Sequence, residues 1–298
     1  MSLQPISQLI ANAQKGQYAV GYFESWNFES LAGVLDAAEE TQSPIIIGFN
    51  GDFLSRPTRR TSERLEWYAA LGRVAAEKTS VPCGFIFNEC PMDDWVKKAC
   101  ELGFNLVMPA DPSASATDYI RRVSEIVAHA HPLGVAVEAE VGELPCGESG
   151  EVLNHETQPT DPEEAAHFVK ATGVDLLAVS VGNVHIMVDG EQALDLPRLE
   201  GIRRKVTTPL VLHGGTGIAA DSLQAAIQMG VVKVNYGTYL KQWYLKAVRE
   251  LVCNDDVSPH DILGIGGDHD VLVAGRLAVR DAVLDRINLL GCEGRAAK

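Results

Sequence analysis

The sequence predicts an α/β protein, a single-domain (β/α)8 (TIM) barrel spanning residues 1–298, and three observations lead there. Eight short apolar runs recur along the chain, each followed by a stretch of helical periodicity. Several of those runs are unbroken Val, Ile and Leu, as in a parallel sheet covered on both faces. No internal repeat other than the strand–helix alternation is visible, and the length suffices for one large core.

A helical pattern at 6–14 precedes a strand at 18–23 and a helix at 28–40. The second strand, 44–49, leads through a polar loop to a helix at 62–78. Strands at 81–88 and 105–108 are followed by helices at 92–102 and 116–131. The fifth strand, 134–141, runs into the longest irregular loop, 142–158. Asp161-Pro162-Glu163-Glu164 then opens a helix with a capping side chain, a proline at its first position and acids in its first turn. A sixth strand at 175–181 precedes a helix at 196–204. The seventh, 209–212, delivers His213 and breaks into Gly214-Gly215-Thr216-Gly217 before a helical pattern at 218–229. The eighth lies at 231–235, and helices at 239–252 and 272–289 complete the chain.

The formal net charge of −15 argues against nucleic acid and against an anionic membrane surface as partners. No apolar run is long enough to span a bilayer. Six cysteines form no C-x-x-C pair and no secretory segment follows Met1, so they read as reduced thiols of a cytoplasmic protein.

In such a barrel, chemistry belongs at the C-terminal ends of the strands. Glu24, Asn50, Asn88-Glu89, Asp111, Glu138 and Glu140, His185, His213 and Asn235 fall at or just beyond those ends. His185 and His213 follow adjacent strands, and two imidazoles with a carboxylate make a metal site that keeps an open position; Glu89 and Glu140 are the candidate carboxylates. Glu138 and Glu140 share one strand face, and buried acids there need a cation or donors. The loops after strands seven and eight, with Gly214, Thr216, Asn235, Gly237 and Thr238, occupy the usual phosphate position of this architecture. Tight turns with a buried histidine are the alternative reading of the same glycines.

Beyond these residues the sequence resembles the class II, metal-dependent fructose/tagatose-bisphosphate aldolase family. The resemblance covers nearly the whole chain: YAVGYF at 18–23, DAAEETQSPIII at 36–47, VAVEAEVGE at 135–143, TDPEEAAHFVKATGVDLLAVSVGNVH at 160–185, PLVLHGGTGI at 209–218, VVKVNYGT at 231–238 and RINLLGCEGRA at 286–296. It implies a divalent metal, usually zinc, held by three histidines, which polarises a substrate carbonyl and stabilises the enediolate of dihydroxyacetone phosphate. Two of those ligands fall on His185 and His213, the phosphate contacts on Gly214, Thr216, Asn235, Gly237 and Thr238, and the glutamate of proton exchange on Glu148. A homo-oligomer, most simply a two-fold dimer, is implied as well.

The chain departs from that pattern at strand three. Where the family reads H-L-D-H, this sequence has Ile86-Phe87-Asn88-Glu89. Asn88 replaces the catalytic Asp, and an amide does not titrate as a general acid or base. Glu89 replaces the third metal histidine, giving a two-His, one-Glu set that suits zinc and also iron or manganese. Ile186 stands for a glycine, Glu24 for an asparagine, Asn50 for a serine and Ala110 for an aspartate, with Asp111 beside it. Proton transfer would then fall to Glu24, Asp111 or Glu148. The expectation is a divergent lyase acting on a phosphorylated ketose or keto compound. A catalytically silent relative that binds a phosphometabolite or a protein, and a metal-dependent isomerase or epimerase, are the alternatives.

Overall fold

The computed structural model describes residues 2–142, 158–184, 190–252 and 258–296. Eight parallel strands close into a barrel in chain order: β1 Val20–Ser25, β2 Ile45–Asn50, β3 Cys83–Cys90, β4 Leu106–Pro109, β5 Ala136–Val141, β6 Leu176–Val179, β7 Leu210–Leu212 and β8 Val231–Tyr236. The seam between β8 and β1 pairs Tyr22 with Asn235, and β2 with β3 pairs Asn50 with Asn88. The architecture is a TIM barrel.

Among the described residues the first helices are α1 Ile6–Gly16, α2 Phe28–Glu40, α3 Gly51–Ser55, α4 Leu65–Lys78, α5 Asp93–Glu101 and α6 Ala116–Ala130. They are followed by α7 Pro162–Thr172, α8 Leu196–Lys205, α9 Ala220–Gln228, α10 Thr238–Val252, α11 Pro259–Ile262 and α12 Val271–Leu290. Six of these twelve begin where a short polar side chain satisfies free backbone N–H groups. Asn27 and Ser30 form a reciprocal capping box at α2, Asp161 accepts from Glu163 and Glu164 at α7, and Asp270 caps α12. The polar loop expected after β2 contains a helix instead: Asn50 ends the strand and its Oδ1 accepts from Phe53 N–H, starting α3 at once.

Outward-facing strand residues form the core between barrel and helices. Phe23 stacks on Tyr236 across the β1–β8 seam with ring centroids 5.3 Å apart, and Phe85 stacks on Phe104 at 3.9 Å. Helix α1 lies across the N-terminal end of the barrel, burying Ile6, Leu9 and Ile10, while Leu3 bridges to Cys83. Cys83, Cys90, Cys100 and Cys292 are buried free thiols, each pushed up to about 12 by burial. No helix among the described residues is long and apolar enough to cross a membrane.

Candidate active site

Strand alternation puts Tyr22, Glu138, Lys233 and Asn235 inside the barrel toward its C-terminal end, where all four are buried. Lys233 projects from β8 into the lumen with no solvent exposure, and its Nζ lies 2.8 Å from Glu138 Oε2 and 3.0 Å from Oε1 on β5. The same ammonium donates to Asn235 Oδ1 at 2.5 Å and stands 5.2 Å from the Tyr22 ring centroid. An ammonium in this position would be too costly without the carboxylate facing it.

Glu138 also clamps His213. Its Oε1 accepts from His213 Nε2 at 2.9 Å, while the other ring nitrogen, Nδ1, faces Glu140 Oε2 at 2.9 Å and Glu89 Oε1 at 3.3 Å. A carboxylate only accepts, so in the metal-free protein both ring nitrogens carry protons. Burial alone would lower the affinity of this imidazole for its second proton. Glu140, Glu138 and Glu89 outweigh it and push His213 up to about 10. Burial also works to raise Glu138, but Lys233 and His213 together hold that carboxyl below the ordinary range.

Glu89 reaches this cluster through an irregular backbone. Strict alternation would place Asn88 and Glu89 on opposite sides of β3, yet both line the same cleft. The register between β3 and β4 shifts between Phe87 and Cys90, and Glu89 sits in the left-handed region at φ 52°. That conformation costs a non-glycine residue about 1–2 kcal/mol, and here it turns the carboxylate back over the barrel mouth. Asn50 Nδ2 donates to Glu89 Oε2 at 2.9 Å and holds it there.

The cleft is lined by Tyr22, Glu24, Asn50, Phe53, Asn88, Glu89, His213, Tyr236 and Lys241, and by all five residues expected at a phosphate: Gly214, Thr216, Asn235, Gly237 and Thr238. Gly214 is left-handed at φ 63° and Thr238 starts α10. Among the described residues, buried polar atoms without a hydrogen-bond partner here include Tyr22 Oη, Asn88 Oδ1 and Asn235 Nδ2. Because Lys233 occupies Asn235 Oδ1, the amide is held with its N–H2 to spare.

Glu140, Glu89 and His213 are thus brought together, while His185, Ile186 and Glu148 lie outside the described residues. Among the described residues no group of three or more His, Cys, Asp or Glu side chains is arranged to hold a metal ion. The donor chemistry nevertheless fits a divalent cation. Four carboxylates (Glu24, Glu89, Glu138, Glu140) meet two ammonium groups (Lys233, Lys241), leaving a charge of −2 when His213 is neutral. With Nε2–H fixed by Glu138, the lone pair of a neutral His213 is on Nδ1, beside Glu89 and Glu140. Asp111 is drawn elsewhere. Its carboxylate accepts from Ser113, sits 3.4 Å from Arg122 and is held below the usual range mainly by the Ser113 hydroxyl. Lys233, Lys241 and Tyr22 were not anticipated as site residues.

The description "Fructose-bisphosphate aldolase class-II" matches residues 4–295. The chain belongs to the class II fructose-bisphosphate aldolase family. It is 33% identical to the fructose-bisphosphate aldolase of Geobacillus stearothermophilus, with all of both chains covered. It is 35% identical to the uncharacterized protein YdjI of Escherichia coli K12, over 96% of each. The crystal structure of the YdjI aldolase superposes with a TM-score of 0.82 at 32% identity, covering 99% of both chains. Family membership makes this an aldolase-like protein, and class II aldolases generally depend on a divalent metal.

Proposed function

We propose that this chain is a metal-dependent aldehyde-lyase that breaks and forms a carbon–carbon bond in a phosphorylated ketose or keto compound. Glu89, His185 and His213 would hold the cation, zinc before iron or manganese, with Glu140 beside them. The observation that carries the reading is the clamped imidazole: Glu138 fixes Nε2–H of His213 and leaves Nδ1 toward Glu89 and Glu140, next to an anion cradle.

When bound, the cation supplies Lewis-acid polarisation of a substrate carbonyl. The protein supplies the rest. Glu138 and Lys233 keep the imidazole in one orientation, and Lys233 presents the Asn235 amide N–H2 to a substrate oxygen. Gly214, Thr216, Gly237 and Thr238 offer backbone N–H groups and hydroxyls to a phosphate at the start of α10. Asn88 binds substrate through Oδ1 as an acceptor, and Glu148 exchanges the proton on carbon. A cytoplasmic homo-oligomer, a dimer at its simplest, is the proposed setting. Exposed Leu245 and Val252, seven residues apart on one face of α10, support it.

The amide at Asn88 favours a second reading, a silent relative that binds a phosphometabolite without turning it over. One experiment separates the two. Zinc-loaded protein is analysed for metal, and dihydroxyacetone phosphate is followed in heavy water by NMR. The lyase reading expects about one equivalent of metal and deuterium incorporation, both lost in His213→Ala, with the exchange rate down about 10²-fold or more. No bound or acquired metal, or thermal stabilisation by the phosphate ester without exchange, sinks it.

A further inference from the structure

The carboxylates at the barrel mouth fall into two groups. Glu89, Glu138 and Glu140 all face His213. Glu24 does not: it is the next-to-last residue of β1, is 7% exposed, and pairs with Lys241 from α10. Lys241 is itself held, with its Nζ 4.2 Å from the Phe53 ring centroid and 5.8 Å from that of Trp26. Gly237 leaves the room that the carboxylate occupies, since a Cβ there would come within 2.8 Å of Glu24 Oε2. In the same cleft the Asn88 amide has its Oδ1 buried and unpartnered. A substrate hydroxyl donating to that oxygen would lie in the cleft that Glu24 also lines, and of these two side chains only Glu24 titrates. Burial raises the Glu24 carboxyl above its ordinary range, with Lys241 opposing.

We propose that Glu24 is the catalytic acid–base for the hydroxyl at the bond that breaks, doing from β1 what the amide on β3 does not. The inference rests on the lyase reading. In cleavage the Glu24 carboxylate takes the proton of the hydroxyl β to the carbonyl. The O–H electron pair becomes the new aldehyde C=O, and the carbon–carbon bonding pair passes into the keto fragment as an enediolate. Glu24 then holds the proton, and in condensation it returns it to the aldehyde oxygen. Proton exchange on the carbon of the keto fragment uses a different group and does not require Glu24. The role falls to Glu24 rather than Asp111, which Arg122 and Ser113 hold outside this cleft.

The test uses zinc-loaded full-length protein, with dihydroxyacetone phosphate as the exchange probe and the same ester plus glyceraldehyde or glycolaldehyde for condensation. Glu24→Gln is expected to lower condensation by about 10²–10³-fold while deuterium exchange stays within about threefold of wild type. Glu24→Asp keeps the charge facing Lys241 with a shorter reach, so it shows the same split should the amide variant misfold. Adding Asn88→Asp to Glu24→Gln is expected to return about tenfold of the lost condensation. Condensation at the wild-type rate in both single variants, or exchange and condensation falling together in a folded variant, overturns the assignment. Wild-type protein that neither exchanges nor condenses overturns the lyase reading, and this inference with it.

Discussion

The two ends of the barrel are built on opposite terms. The N-terminal end, under α1, encloses a hollow of about 360 Å³ lined by Ile6, Ile10, Val135, Leu176 and Pro209. The C-terminal end offers only about 80 Å³, yet Glu138, Lys233 and His213 are fully buried there and Glu24 nearly so. At the roomier end the polar pair His131 and Asp175 keeps side-chain exposures of 43% and 39% and is satisfied: Asp175 Oδ2 accepts from His131 and from Val137 N–H. At the tighter end, charges are held out of water and polar atoms such as Asn88 Oδ1 and Asn235 Nδ2 wait for a partner. Volume therefore misleads here, and electrostatic stress marks the chemistry.

The sharpest way to break that contrast is to remove one charge from the stressed end. Lys233→Met leaves Glu138 in the lumen with the imidazole but no ammonium. Breaking a buried pair in this way costs about 3–5 kcal/mol, read by urea denaturation of the metal-free protein. Pairing it with Glu138→Gln is expected to recover a large part of that loss, because the orphaned charge goes too. A single substitution costing under about 1 kcal/mol would mean the lumen pair is not charged, and the contrast between the ends would dissolve.

Most of the barrel was legible in the sequence because apolar runs and capping residues act locally. Phe28–Glu40 is the helix read from its pattern, and Asp161 caps α7 as its context suggests. Helix α3 was missed because its start depends on Asn50, a strand residue whose side chain reaches Phe53 N–H. In the site, Lys233 was readable and overlooked: a lone cation in an apolar strand, two residues before Asn235 and hence on its face, opposite an acid that needed one. The left-handed turn at Glu89 was not readable, since the position itself holds neither Gly nor Asn and alternation predicts the wrong side. Asp111 looked equivalent to Glu24 in the sequence, and only the placement of Arg122, bonded to Cys90 O, Pro91 O and Ala110 O, shows where it goes.

The same contrast has a pH signature. In the metal-free protein His213 is raised to about 10 from an ordinary value of 6.5. A group whose folded pKa is raised contributes stability that is fully present below the unfolded value, so the contribution holds below pH 6.5 and fades as pH rises toward 10. Glu138 has the opposite sign: its contribution is present above pH 4.5 and lost as pH falls through its lowered folded value. Thermal melts of metal-free protein should therefore decline on the alkaline side from near neutrality. Under the proposed lyase reading zinc should flatten that decline, because a cation held at Nδ1 would replace the proton. A metal-free melting temperature that stays level from pH 6.5 to 10 would contradict the imidazolium assigned here.

The smallest effect is expected at the roomier end. His131→Ala removes one partner of a largely exposed pair, and such pairs are worth about 0–1 kcal/mol. Asp175 keeps its bond from Val137 N–H, so no buried acceptor is stranded. The melting temperature should move by no more than a few degrees, and dihydroxyacetone phosphate exchange should match wild type, because His131 lies beyond the N-terminal ends of the strands while the cleft lies beyond the C-terminal ends. A loss of exchange in this variant without a loss of fold would couple the two ends through the lumen. Charge placement would then no longer be sufficient to locate the site.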